Sequence, residues 1–167
     1  MPRQLLRDGR IVADDWTYFT EAGGDAVESA EPAGAIILTF EQWRSDEPKW
    51  RAAPQRLGVI LSPVDKVERL APDLERFDLV GSQFPGPSDG RGYTQGRLLR
   101  ERYGWRGELR ATGYVRRDQV FFIARCGFNS FELPESDLQS AAGAFSTFTA
   151  RYQPSNDSGL SLKLQHR

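Results

Sequence analysis

Residues 84–131 read FPGPSDGRGYTQGRLLRERYGWRGELRATGYVRRDQVFFIARCGFNSF. Glycines, prolines and polar clusters fall where a chain should reverse or a helix begin. The segments between them give the order loop, helix, strand, loop, helix, strand. Each loop before a helix carries polar groups: Asp89, Gly90, Arg91 and Gly92 in the first, Arg116, Arg117, Asp118 and Gln119 in the second. Strands joined through crossover helices pair in parallel with right-handed connections, so both loops are expected at one edge of one sheet. Ligands of parallel sheets and α/β barrels bind outside the carboxyl ends of the strands, which makes that edge the first place to look for a site.

Working back from residue 84, FDLVGSQF (77–84), RLGVIL (56–61) and AIILTF (35–40) read as further strands. The helix between the last two, over 41–51, carries Trp43 and Trp50 seven positions apart. Ser62-Pro63 opens another helix, with Val64, Val67, Leu70 and Leu74 on its buried face. Residues 4–20 form two short strands around Asp8-Gly9, a dipeptide suited to a tight hairpin, and 21–34 is a surface loop. Working forward, a helix over 94–103 stops at Gly104 and a strand follows over 108–114. Asp118 is placed to cap a helix over 119–126 that ends at Gly127, and FNSFEL (128–133) is the next strand. A last helix starts at Pro134 with Leu138, Ala142 and Phe145 on one stripe. From Gln153 the tail reads as a turn and then LSLKLQ, an alternating segment that is either an edge strand or a frayed end.

These elements predict a single α/β domain over 1–167: hairpin and loop over 1–34, core over 35–152, tail over 153–167. About five parallel strands with crossover helices are expected, as a partial (TIM-like) barrel or a doubly wound sheet. ELRATG and FNSFEL alternate polar and apolar, which suits a barrel interior better than a sheet buried on both faces. A complete eight-fold barrel needs about 250 residues, more than the 167 present.

Composition narrows the function. With 22 Lys plus Arg against 23 Asp plus Glu, the net charge of -1 gives no overall basic field for nucleic acid or an acidic membrane. One cysteine, Cys126, and one histidine, His166, exclude a disulfide framework and a metal site built from several thiolates or imidazoles. No apolar run reaches the length of a signal peptide or membrane span, which points to the cytoplasm. No cofactor and no metal are expected: the phosphate-loop and dinucleotide fingerprints are both missing.

Several constellations have two readings. SDGRGYTQGR holds the parts of an anion cradle, with Gly90 and Gly92 for close approach and Arg91 and Arg97 for bidentate contacts; equally, it is a capped turn. Asp89 and Asp118, from neighbouring loops, form an acid/base pair or serve as local caps. Arg110, inside a strand, either faces a polar cavity or is ion-paired with Glu108 or Asp118. Arg100, Arg102 and Arg106, with Glu101, are a solvated face or a partner surface. Cys126, at the end of a helix, reads as a buried structural thiol. The four tryptophans offer no stacking ladder for single-stranded nucleic acid.

Across these residues the chain resembles a bacterial family, domain of unknown function family 934 (DUF934), whose members are commonly encoded beside the siroheme sulfite reductase of assimilatory sulfate reduction. The matching residues are Phe84, Asp89 to Tyr93, Arg97 to Glu101, Gly107 to Ala111, Gly113, Val115, Asp118-Gln119, Arg125 to Phe128 and Phe131. Tyr114 departs from the acidic or amide residue usual after Gly113. The resemblance implies a role in sulfite reduction. Because that reaction needs siroheme with an iron-sulfur cluster, or a flavin, the expectation is an accessory protein supporting sulfite reductase. The alternative is a small anion- or phosphometabolite-binding enzyme using Asp89, Arg110 and Asp118. Whether a second copy of the chain covers a sheet edge is left open by the sequence.

Overall fold

Asp8 and Gly9 both take positive φ, 51° and 77°. That is the geometry a two-residue hairpin needs, and the hairpin forms as expected from β1 (Gln4–Arg7) and β2 (Arg10–Ala13). The computed structural model describes residues 3–19 and 34–147; the tail read from Gln153, and the loop read at 21–34 except Gly34, lie outside them. A third strand, β3 (Trp16–Tyr18), precedes β4 (Ala35–Thr39), β5 (Arg56–Leu61), β6 (Leu79–Phe84), β7 (Glu108–Gly113) and β8 (Ser130–Phe131).

The strands make one sheet in the order β2-β1-β8-β7-β6-β5-β4-β3. From β3 to β8 every pair is parallel, while β1 is antiparallel to both β2 and β8. The sheet is therefore mixed, with eight strands, and not the five or so parallel strands expected. The difference lies in Trp16–Tyr18, which is too short to show a period, and in the hairpin, which joins the main sheet instead of flanking it. Consecutive order with right-handed crossovers sends every helix to one face, so the doubly wound alternative fails and the sheet is a curled half-barrel.

Its curl is dictated by a short link. β2 and β3 lie at opposite edges, yet only Asp14 and Asp15 join them. Laid flat, seven strand spacings would separate the edges by about 34 Å, whereas three Cα steps reach about 11 Å. The edges must approach until the inner face is nearly enclosed. The stagger agrees: hydrogen-bond register places Tyr18 level with Ile37, Gly58, Leu79 and Glu108, but its hydroxyl donates to Glu132, from the far end of the β8 segment, at 2.6 Å. Such an offset across the seam is the tilt that closing a sheet requires.

The helices are α1 (Phe40–Ser45), α2 (Glu47–Ala52), α3 (Val67–Leu70), α4 (Arg91–Arg97), α5 (Val120–Arg125) and α6 (Glu135–Thr147). The helix expected over 41–51 is broken at Asp46, whose side chain accepts from the Lys49 N–H and caps α2; Trp43 and Trp50 are buried on both sides of the break. The helix expected from Ser62-Pro63 starts later. Asp65 accepts from the Ser62 N–H, holding those residues in a turn, and Val64 is 76% exposed instead of buried. α4 widens into a π turn over Leu98–Arg102 and stops at Gly104, φ 62°.

Two apolar regions flank the sheet. The larger lies under the helices and includes Leu38, Trp43, Val59, Leu61, Val80, Phe84, Leu109, Ala111 and Phe131. The smaller fills the inner face with Trp16, Ala35, Ile37 and Leu79. Space inside is tight: a Cβ on Gly81 would sit 2.2 Å from Ile60 Cδ1.

Candidate functional site

Alternation along β7 decides what enters the curl. Leu109 and Ala111 turn to the helices, so Glu108, Arg110 and Thr112 face inward. Arg110 is fully buried. All five of its N–H directions are used: Nε and Nη2 on Glu108 Oε1 (3.2 and 2.9 Å), Nη1 and Nη2 on Asp14 (3.1 and 3.0 Å), and Nη1 on Glu132 Oε1 (3.3 Å). Glu108 was one of the partners expected for Arg110; Asp118 is not, and the others come from the β2–β3 link and the end of β8.

The carboxylates are satisfied in turn. Asp14, 2% exposed at its side chain, also accepts from Arg3 Nη2 at 2.5 Å and from the Trp16 N–H. Glu132 accepts from Arg3, Tyr18 and Thr112, and Glu108 from Arg7. Three arginines thus face three acids, which is the pairing that burial of charge demands. Burial opposes ionisation of Asp14, but hydrogen bonds from Arg3 and Arg110 outweigh it and hold its carboxyl below the ordinary range. Burial, then the Glu132 charge, push the Tyr18 phenol up to about 12. Burial also works against the Arg110 charge, yet Asp14 and Glu108 bind its proton more firmly than usual.

These shifts set the pH limits of stability. Asp14, depressed in the fold, contributes stability above its unfolded value near 4 that is lost as pH falls through the folded one. Tyr18, raised in the fold, contributes stability below pH 10 that is lost as pH rises from 10 towards about 12. Urea midpoints should therefore fall at both ends, with Asp14→Asn flattening the acid limb and Tyr18→Phe the alkaline one. Limbs unchanged in the variants would show that other groups set them.

The loops after β6 and β7 do share the carboxyl edge, as parallel neighbours, but no hydrogen bond or ion pair joins the side chains of Asp89 and Arg91 in one to those of Arg116, Arg117, Asp118 and Gln119 in the other. Asp89 closes its own turn, accepting from the Arg91 N–H at 3.1 Å and pairing with the Arg91 guanidinium at 2.5 Å; the guanidinium first, then the N–H, hold the Asp89 carboxyl at about 2 against the opposing effect of burial. Gly92 lies against Phe84, where a Cβ would meet the ring at 2.7 Å, so its smallness serves packing. Arg97 is exposed, and Cys126 is a buried free thiol. Asp118 is exposed and caps nothing; Gln119 holds the cap position of α5, with its side chain accepting from the Arg116 N–H.

Arg100 corrects the expected partner surface. It is 8% exposed and donates to three backbone carbonyls, those of Gly127 (3.0 Å), Trp105 (2.8 Å) and Gly107 (3.0 Å). Burial, then the Arg106 charge, lower its pKa to about 10. The π turn over Leu98–Arg102 carries it beneath the β7 approach; helical spacing alone puts it outside. Arg102 and Arg106 are exposed, Arg102 lying 3.7 Å from Glu68.

A groove of about 640 Å³ opens between α5 and α6, floored by Val120, Phe121, Phe122, Ala141, Ala144 and Phe145, with Arg117 and Asp118 at its rim. Phe122 is 61% exposed there. Among the described residues no group of three or more His, Cys, Asp or Glu side chains is arranged to hold a metal ion, and no helix is long and apolar enough to cross a membrane.

Sequence reasoning missed Arg3, Asp14, Tyr18, Thr112 and Glu132. Glu132 and Thr112 had a signal, the polar phase of FNSFEL and ELRATG; Asp14 and Tyr18 had none, because their role depends on where β3 lands.

Fold and site together define a mixed α/β half-barrel protein whose inner face is closed by an ionic clasp and whose open groove lies in the helical layer. The chain belongs to the family described as bacterial protein of unknown function (DUF934), which matches residues 58–162. That span takes in Glu108, Arg110, Thr112 and Glu132 and leaves out β1 to β4. No curated protein matches the chain.

Proposed function

We propose that the protein is an accessory of assimilatory sulfite reduction, docking on siroheme sulfite reductase without performing the reduction. The observation that carries this choice is the dispersal of the arginines. Arg91 is committed to Asp89 and Arg110 to Asp14, Glu108 and Glu132, while Arg97 is exposed. An anion- or phosphometabolite-binding enzyme needs such groups around one cavity with donors to spare. One cysteine and one histidine are too few ligands for siroheme and a cluster. Exposed Arg102 and Arg106 offer a surface for a partner, where a paired charge such as Arg102 with Glu68 costs little to re-pair.

The test is a pull-down of tagged full-length protein from its own host grown on sulfate as sole sulfur source. Sulfite reductase should be recovered with the wild type and lost with Arg102→Glu/Arg106→Glu. Arg100 is left intact because reversing it would strip three carbonyls. Absence of sulfite reductase from the wild-type pull-down overturns the proposal. Recovery undiminished in the double variant overturns the surface.

A further inference from the structure

On the inner face of the curl, Trp16 Nε1 and Ser130 Oγ are enclosed and have no hydrogen-bond partner among the described residues. Buried donors and hydroxyls are as a rule met, by protein or by ordered water, because leaving them unmet is costly. The stagger across the seam brings these two together. Tyr18 touches Glu132 at 2.6 Å, and Glu132 continues the β8 ladder, donating its N–H to Ala111 at 3.0 Å. Trp16 and Ser130 stand two residues before that pair, on strands that run in the same direction. Two residues are one full strand period and about 7 Å of rise, so both side chains keep the inner face and stay level with each other. Their neighbours agree. Ser130 lies beside inward-facing Arg110, and Trp16 packs with Leu79, whose partner on β7 is Glu108. Glu108, two residues before Arg110, turns its carboxylate to the same face.

We infer that this inner face holds one ordered water molecule, bound by Trp16 Nε1, Ser130 Oγ and the Glu108 carboxylate, an inference independent of the role in sulfite reduction. Chemistry selects the occupant. An indole N–H only donates, a carboxylate only accepts and a serine hydroxyl does either, so the molecule between them must accept and donate at once. The charges beside it already balance, with Arg3, Arg7 and Arg110 against Asp14, Glu108 and Glu132; an ion would add a charge with nothing to answer it. Space favours the smallest candidate, since even a Cβ on Gly81, level with Arg110, would meet Ile60 Cδ1 at 2.2 Å. Three polar partners are the usual complement of a buried water. Held there, it ties the three-residue edge strand β3 to β7 and β8, extending the ionic clasp towards the amino ends of the strands.

Water-selective nuclear magnetic resonance on the isotope-labelled full chain tests the assignment. The Trp16 indole N–H, identified by loss of its signal in Trp16→Phe, should give a cross-peak to water with the sign of dipolar contact with a long-lived molecule, not of proton exchange. The indoles of Trp43 and Trp50 donate to Asp73 and to the Gln42 carbonyl and serve as controls that should give none. Ser130→Val places apolar bulk where the water sits and should abolish the Trp16 cross-peak, while unchanged amide signals of β6 report that the variant is folded. A wild-type spectrum without the cross-peak overturns the inference, whether or not Ser130→Val folds. A cross-peak that persists in folded Ser130→Val overturns it too, as does a crystal structure in which Trp16 Nε1 donates directly to a protein oxygen.

Discussion

Arg110→Met is expected to lower the free energy of unfolding by about 3–5 kcal/mol, because removing one partner of a buried ion cluster strands the others. The variant leaves Asp14 and Glu132, both nearly buried, and Glu108 facing one another with only Arg3 and Arg7, themselves partly exposed, as counter-charges. Methionine fills much the same volume, so the loss measures charge and hydrogen bonding instead of a cavity. Urea denaturation followed by circular dichroism gives the number. A midpoint shift worth less than about 1 kcal/mol would show that water reaches the cluster and screens it. Adding Asp14→Asn should cost far less than it does in the wild type, since coupled partners are not additive.

Gly113→Ala is the second large effect, roughly 2–4 kcal/mol from backbone strain and overpacking together. Gly113 ends β7 with φ 88°, and an added Cβ would lie 2.5 Å from the carbonyl oxygen of Phe84. That oxygen is fixed, accepting the Tyr114 N–H at 2.6 Å. Neither atom is the end of a flexible side chain, so β6 and β7 must separate at their carboxyl ends, just where both loops begin. The loss should appear in the unfolding free energy together with faster exchange of the Tyr114 amide. Gly90→Ala is the control: nothing lies within 4 Å of its Cβ position and its φ is -91°, so it should change little. Equal stability of the two variants would refute the close-approach account.

What the sequence made legible follows from how locally each feature is determined. The hairpin at Asp8-Gly9, the strands at 35–39 and 56–61, and the stops at Gly104 and Gly127 are set by turn chemistry and short apolar runs. Arg110 was singled out because a charge inside a strand has to be answered. Its answer was not legible: Asp14 lies 96 positions away and meets Arg110 only because the sheet curls. Arg100 was misplaced for a related reason. A π turn rotates the residues it contains relative to the α-helical phase, and nothing in LLRER announces one. Asp118 looks like a cap in the string of residues, but Gln119 takes that place, one position later.

The two-residue link of Asp14 and Asp15 also governs the order in which the molecule can assemble. The first strand pairs with the last, Leu6 against Phe131, and the strand just after the link pairs at the opposite edge with Ala35 to Ile37. During synthesis β1 has to wait for β8 to emerge, while β3 can dock as soon as β4 is made. Pairing of β1 with β8 thus closes a loop over almost the whole described chain, and it bears the largest loop-closure entropy of the strand pairings. The six arginine and carboxylate groups of the clasp, set at the point of closure, become buried only when both termini of the sheet have arrived, so they act as a latch on a finished fold and not as a nucleus for it.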